Sequence, residues 1–250
     1  MIKRGGRFLQ RSNGSLDLSS NLVLSLDLEE VSGDAIDQSI SEYDFIDVNT
    51  VESAAGATPG YGSRLFTPDN SEHLYLPSSG TSNVNILDNE WAMHFWAKRN
   101  ATGARIIFAK SPSTVVATAT ARAFIIYFSL STLIFTVGRS VAADGAVSVS
   151  ANVPMSEWIP VLCWHDPNAD VIGVKIGTDA AVTTTLVGGA RAGSSSDVRI
   201  GSTSVTPGSY LDANLAALRI WRGAGVINQI VNPEVINFLN ARQRRHTELV

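Results

Sequence analysis

Cysteine is nearly absent from this chain of 250 residues, because Cys163 is the only one. A lone cysteine excludes an intrachain disulfide. Secreted domains often carry several disulfides, so the lone cysteine favours synthesis in a reducing cytoplasm. Cys163 lies between Leu162 and Trp164 in an apolar run, which predicts a buried, unreactive thiol. The first residues are basic and contain no apolar stretch, so no secretory signal is expected there.

Charge is also scarce. Charged residues make up 17% of the chain and the formal net charge is −4, a balance that argues against a general nucleic-acid binder. Long apolar runs are missing as well. The most apolar stretch, residues 123–137, is too short to span a bilayer and is interrupted by Ser129 and Ser131. We therefore expect neither a nucleic-acid partner nor a membrane partner.

Catalytic sequence patterns are lacking too. No strand offers the paired carboxylates that a retaining glycosidase needs, and no serine lies in a G-x-S-x-G context. The four histidines show no metal-ligand spacing. Asp166, Asn168 and Asp170 alternate oxygen ligands of the kind that calcium favours, but the glycine and distal glutamate of an EF-hand are missing. We expect no catalytic residue, no resident metal and no cofactor.

What the sequence does contain is a series of short apolar runs separated by Gly, Pro, Asn, Asp and Ser. Runs of this length without helical patterns between them predict an all-β fold, a two-sheet antiparallel sandwich. One segment differs, because residues 233–242 place apolar side chains near helical spacing. Asn232 can cap this segment and Pro233 suits a first helical position. We expect a short C-terminal helix there.

The run from Trp91 to Lys98 alternates with a period of two. Its odd-numbered residues suit the space between the two sheets. His94 and Trp96 point to the other face, which we expect to be only partly covered. An aromatic ring beside a hydrogen-bonding side chain could hold a sugar or a peptide, so this pair is our candidate ligand site. The alternative is that Trp96 packs beneath a loop.

The order of several segments resembles the laminin G-like family of concanavalin A-like jelly rolls, in the version found in phage proteins. Each motif is weak by itself, but together they cover residues 15–242. The segments that carry the resemblance are Leu26–Gly33, Ser53–Gly56, Leu65–Phe66, Ser71–Leu74, Trp91–Lys98, Ser156–Trp158, Arg199–Ser202, Leu211–Asn214 and Leu218–Trp221. The resemblance implies a jelly-roll domain over residues 15–228, followed by a C-terminal helix and tail over 229–250.

One departure from the family pattern bears on metal binding. The family's Ile-Asp-Glu reads Leu215-Ala216-Ala217 here, so a carboxylate pair is missing. Some members of the family bind calcium through loop carboxylates, and the loss of this pair makes calcium binding unexpected in this chain.

Residues 1–14 form a basic segment, which we call the N-terminal arm and expect to be flexible. The charges of Arg4, Arg7 and Arg11 flank Phe8 and Leu9, a composition suited to anchoring on an acidic neighbouring subunit. A purely solvated tail is the alternative.

The resemblance, the missing signal and the missing catalytic residues together predict a non-catalytic phage structural protein. It would be made in the host cytoplasm and lie on the virion surface, as a capsid decoration protein or a tail-fibre component. Its expected partners are viral capsid or tail proteins and further copies of itself. A carbohydrate-binding adhesion module, with host or environmental glycans as partners, is the second hypothesis. A polysaccharide hydrolase or lyase is the third.

Overall fold

The computed structural model describes residues 18–19, 21–49, 51–78, 84–86, 89–111, 123–139, 146–190, 196–203, 209–241, 243, 245 and 249. These residues form two antiparallel β-sheets that enclose one large apolar core, with two short helices near the C-terminus. The predicted all-β, two-sheet sandwich with a C-terminal helix is therefore confirmed. The N-terminal arm lies outside the described residues.

Eight strands form the larger sheet within the described residues. They are β1 (Leu22–Leu26), β3 (Glu52–Ala55), β4 (Gly62–Phe66), β6 (Trp91–Arg99), β11 (Trp158–Asp166), β12 (Val171–Ile176), β13 (Val182–Thr185) and β15 (Ala213–Arg222). Their order is β13-β12-β11-β6-β15-β4-β3, and β1 also pairs with β15. Strand β15 pairs with β4 through its first residues and with β1 through its later ones. Between them its pairing with β6 shifts register from Ala216 to Arg219, where Ala217 adopts a positive φ of 50°.

Seven strands of the described chain form the second sheet. They are β2 (Ile46–Val48), β5 (His73–Leu76), β7 (Arg105–Lys110), β8 (Phe124–Ser129), β9 (Thr132–Gly138), β10 (Ala146–Asn152) and β14 (Val198–Ile200). Their order is β10-β9-β8-β7-β14-β5-β2. Strands β8 and β9 account for the most apolar stretch of the sequence. The turn between them is tight, with Leu130 at a positive φ of 50°.

The main core lies between the sheets, and strand β6 shows how the sequence specifies it. Trp91, Met93, Phe95 and Ala97 all belong to this core and are fully buried, as their alternation predicted. Cys163 of β11 is buried in the same core, and burial raises the pKa of its thiol. The prediction of a buried cysteine is confirmed.

A second apolar cluster lies on the opposite face of the larger sheet, under helix α1 (Val226–Ile230) and helix α2 (Pro233–Asn240). Helix α2 begins as predicted, because the Asn232 side chain accepts a hydrogen bond from the Glu234 backbone N–H at 2.9 Å and Pro233 occupies the first turn. Its buried residues, Val235, Ile236 and Leu239, face this cluster.

The sequence did not predict three elements. Strands β2 and β3 are short, and β3 is polar and largely exposed, so neither carries an apolar run. Helix α1 is five residues long and starts from Gly225 without a side-chain cap, which leaves no capping signal in the sequence. The predicted run Trp91–Lys98 matches β6 to within one residue, which is inside the usual uncertainty of such boundaries.

Candidate functional site

His94 and Trp96 lie on the face of β6 that is turned away from the main core, as predicted, but that face is covered. His94 is 3% exposed and Trp96 is 8% exposed. The His94 Nε2 atom lies 3.1 Å from Oδ1 of Asn240 at the end of α2, and the Asn240 amide donates to the Gly177 carbonyl at 2.9 Å. The contact between His94 and Asn240 therefore connects β6 of the larger sheet to helix α2.

The space beside the two side chains is small. It is a cavity about the size of one water molecule, lined by His94, Trp96, Ala217, Arg219, Leu239 and Leu249. A sugar or peptide would reach this space only if α2 and the C-terminal residues moved away. The expectation of a partly covered face differs from the structure, because Leu239, Asn240 and Leu249 lie over this face of β6. Ligand binding by His94 and Trp96 stays a prediction.

Several carboxylates that could have served catalysis or metal binding instead form ion pairs and hydrogen bonds that stabilise the fold. Asp27 pairs with the buried Arg219. Asp37 is buried and accepts hydrogen bonds from the backbone N–H groups of Ser25, Ser39 and Tyr43. A carboxylate that caps several backbone N–H groups stabilises a loop, and its lone pairs are then occupied.

The Asp166–Asp170 segment is likewise structural. Asp166 Oδ1 accepts from the backbone N–H groups of Asn168 and Ala169 at 2.9 and 3.2 Å, and the Asn168 amide donates to Glu90. These bonds form a tight turn between β11 and β12. Within the described residues, no group of three His, Cys, Asp or Glu side chains is arranged to hold a metal ion. The same residues contain no helix long and apolar enough to cross a membrane.

A polar and aromatic cluster lies on the outer face of the seven-stranded sheet, and we call it the Tyr75 cluster: Tyr75, His73, Arg199, Asp197 and Tyr210. Strand alternation places it there. Leu74 and Leu76 of β5 and Val198 and Ile200 of β14 are in the main core, so the residues between them point outward. Because Tyr75 and Arg199 are directly paired across β5 and β14, their side chains meet.

The side chains of the Tyr75 cluster lie close to one another. The Arg199 guanidinium carbon lies 5.6 Å from the centre of the Tyr75 ring, within cation–π range. Arg199 Nη1 donates to His73 Nε2 at 3.1 Å, and Nη2 lies 3.4 Å from an Asp197 oxygen. The His73 ring centre is 6.4 Å from that of Tyr75 and 6.2 Å from that of Tyr210.

Hydrogen bonds fix the protonation of His73. Its Nδ1 donates to the Ser71 carbonyl at 3.0 Å, which leaves Nε2 as the acceptor for Arg199. Burial lowers the pKa of His73 below its ordinary value, the Ser71 bond opposes this shift, and the nearby Arg199 charge lowers the pKa further. A neutral histidine keeps the guanidinium in place, because a protonated ring would present two like charges at hydrogen-bond distance.

This arrangement combines the groups that carbohydrate sites use. Aromatic rings pack against the apolar faces of sugars, while charged side chains exchange hydrogen bonds with hydroxyl groups. The side chains of Arg199 and Asp197 remain 20% and 31% exposed, so they are open to a ligand. Little in the sequence indicates this cluster. His73 and Arg199 are 126 residues apart and meet only through the pairing of β5 with β14.

Comparisons with known proteins place the fold among solved binding domains. The binding domain of Paraclostridial Mosquitocidal Protein 1 aligns with 88% of this chain, at a TM-score of 0.66 and 11% identity. The binding domain of botulinum neurotoxin DC in complex with rat synaptotagmin II aligns with 90%, at 0.63 and 12%. A structure described by "Cell entry of botulinum neurotoxin type C is dependent upon interaction with two ganglioside molecules" aligns with 87%, at 0.57 and 11%.

This chain spans about half of those structures, covering 53%, 52% and 52% of their lengths. No family profile and no curated protein sequence matches it. At 11–12% sequence identity, the structural similarity to these proteins establishes a shared β-sandwich fold and nothing about ligands.

Proposed function

We propose that this chain is a non-catalytic binding module that holds a glycan on the outer face of its seven-stranded sheet. The Tyr75 cluster carries the proposal. It brings two tyrosine rings, a guanidinium and a carboxylate together on one sheet face, and Arg199 and Asp197 remain partly open to solvent. The surrounding β-structure holds these groups in place before a ligand arrives, which reduces the entropy cost of binding.

Two further observations support a binding role. The buried carboxylates described above are engaged in loop and ion-pair contacts rather than paired across a groove. The solved structures with this fold are named as binding domains, and one concerns interaction with ganglioside molecules, whose headgroups are glycans. The Arg199 charge favours acidic sugars over neutral ones, because a guanidinium pairs with carboxylates in a bidentate manner.

A glycan array followed by titration calorimetry tests the proposal. Wild-type protein should retain acidic glycans, and Tyr75→Ala and Arg199→Gln should each weaken binding of the best glycan about tenfold or more, as the loss of a stacking or charge-assisted contact does. Arg105→Gln is the matched control, because it removes one positive charge from the neighbouring strand β7 and should leave affinity unchanged. If wild type binds no glycan on the array, the proposed function is wrong.

The second candidate function is attachment within a virion, as a capsid decoration protein or a tail-fibre component. It rests on the phage-type resemblance, and its specific support is the charge separation between the basic N-terminal arm and the acidic residues that follow it. Arg11 is followed by no Lys or Arg before Arg64. Oppositely charged surfaces steer protein–protein association. Co-sedimentation of the purified chain with empty particles of the parent phage tests it. Specific, saturable binding is expected, and its absence would reject the virion role.

A further inference from the structure

The β1–β2 loop, residues 27–45, has a backbone held in place by its own carboxylates. Asp37 accepts from Ser25, Ser39 and Tyr43, as described above. The Glu30 side chain accepts from the Ile36 N–H at 3.1 Å, and Asp44 accepts from the Asp37 N–H at 2.9 Å. One bridge, Leu26 to Asp37, connects the loop to β1, and a second, Ala35 to Phe45, pairs two residues within the loop. The loop therefore presents its outward side chains on a fixed frame.

Three of those outward side chains are aliphatic. Val31 is 79% exposed, Ile36 is 45% exposed and Ile40 is 93% exposed. All three lie on the β1–β2 loop, where Glu30, the residue before Val31, accepts a hydrogen bond from the Ile36 N–H. Isolated exposed aliphatics are ordinary, but three on one ordered loop indicate an interaction surface.

The charged residues of the β1–β2 loop itself are all acidic. Residues 27–45 contain seven acidic residues and no Lys or Arg. Arg219 pairs with Asp27, Arg245 with Glu29, and the buried Arg64 lies 3.6 Å from Glu30. These three contacts leave an acidic excess on the loop, where Asp34, Glu42 and Asp44 are exposed. A partner for this surface should be basic and should carry apolar side chains between its charges.

The N-terminal arm has that composition. Its fourteen residues contain Lys3, Arg4, Arg7 and Arg11 with no acidic residue, and Phe8 and Leu9 lie between the charges. We propose that the β1–β2 loop is the docking surface for the N-terminal arm of a second copy of this chain. Val31 and Ile40 remain exposed in the single chain, which leaves them for a partner molecule. Reciprocal exchange of two arms forms two equivalent contacts, as a two-fold symmetric dimer requires.

Site-directed cross-linking distinguishes a second copy from other occupants. Cys163 is fully buried, so cysteines introduced on the surface are the reactive ones. A full-length chain with Phe8→Cys is mixed with a tagged full-length chain carrying Ile40→Cys, and the mixture is oxidised. We expect a covalent heterodimer as the main product. The control replaces Ile40→Cys with Val182→Cys, which lies on β13 and is 41% exposed, and it should give none.

Sedimentation velocity provides the second readout. Ile36→Ser combined with Ile40→Ser should raise the dimer dissociation constant roughly tenfold or more through lost apolar burial, and Val182→Ser should not. Raising NaCl from 0.1 to 1 M should also weaken the dimer, because the Debye length falls from about 10 to about 3 Å. No heterodimer above the Val182→Cys control overturns the proposal. A single chain that carries both Phe8→Cys and Ile40→Cys is oxidised in parallel. If cross-links form only within that chain, the arm docks on its own loop and the proposal is also overturned.

Discussion

Arg219 of β15 and Asp27 of the β1–β2 loop form an ion pair in which the two side chains are only 2% and 9% exposed. Arg219 also donates to the carbonyls of Leu26 and Leu218. The register shift in β15 after Ala216 lies immediately before Arg219, and the Ala217 N–H in this shift donates to the Asp27 carbonyl at 3.0 Å. Asp27 is thereby assigned a structural role that joins the first strand to the last.

Replacing Asp27 tests that role. Asp27→Asn leaves the buried Arg219 charge without its carboxylate and should lower the free energy of unfolding by about 3–5 kcal/mol. Urea denaturation at pH 7 measures the loss. Asp179→Asn is the control, because Asp179 is exposed and the change should be within about 0.5 kcal/mol. Equal effects of the two substitutions would contradict the assigned role of the ion pair.

Acid should destabilise the protein through His94. Burial lowers its pKa to about 4, partly offset by the bond to Asn240. Between pH 6.5 and pH 4 the unfolded chain binds a proton that the folded chain does not, so stability falls as pH drops through this window and levels off below it. At about 1.4 kcal/mol per pKa unit, the loss is about 3 kcal/mol.

His94→Gln isolates this contribution, because glutamine has no titratable ring and can still donate to Asn240. Denaturant unfolding at pH 7, 5.5 and 4.5 should show a much smaller loss of stability in the variant than in wild type, with similar values at pH 7. Parallel pH profiles for the two proteins would show that His94 is not the group responsible.

Gly173 should tolerate no side chain. It faces Trp164 directly across β11 and β12, and a Cβ at this position would lie 2.1 Å from Trp164 Cζ2. Gly173→Ala should therefore destabilise the protein by about 1–3 kcal/mol through overpacking. Gly177→Asn serves as the control at the end of the same strand, because its φ of +52° suits asparagine and no atom lies near its Cβ. A milder effect of Gly173→Ala in a Trp164→Leu background would identify the indole as the cause.

Metal removal should leave stability unchanged. The position where the family resemblance implies an Asp-Glu pair is occupied by Ala216 and Ala217, and both are buried. A cation bound at a hundred times its Kd would add about 2.7 kcal/mol to the free energy of unfolding. Thermal unfolding with and without EDTA should give the same midpoint. A drop of several degrees on chelation would reveal a site in this chain.

The core was readable from the sequence because local pattern and tertiary environment agree there. The alternation of Trp91 to Ala97 and the cap at Asn232 are both local signals, and the structure confirms both. The coverage of Trp96 could not be read from neighbouring residues, because Leu239 and Leu249 reach it from more than 140 positions away. The Tyr75 cluster could not be predicted for the same reason, because His73 and Arg199 are 126 residues apart.

Native mass spectrometry of the chain with its best array glycan tests the central claim most directly, because one spectrum reports both occupancy and the mass of the ligand. The account predicts a complex whose glycan mass is unchanged after prolonged incubation, and little complex with Arg199→Gln or Tyr75→Ala. A shortened glycan would contradict a non-catalytic module. Undiminished complex in both variants would show that the ligand binds elsewhere than the Tyr75 cluster.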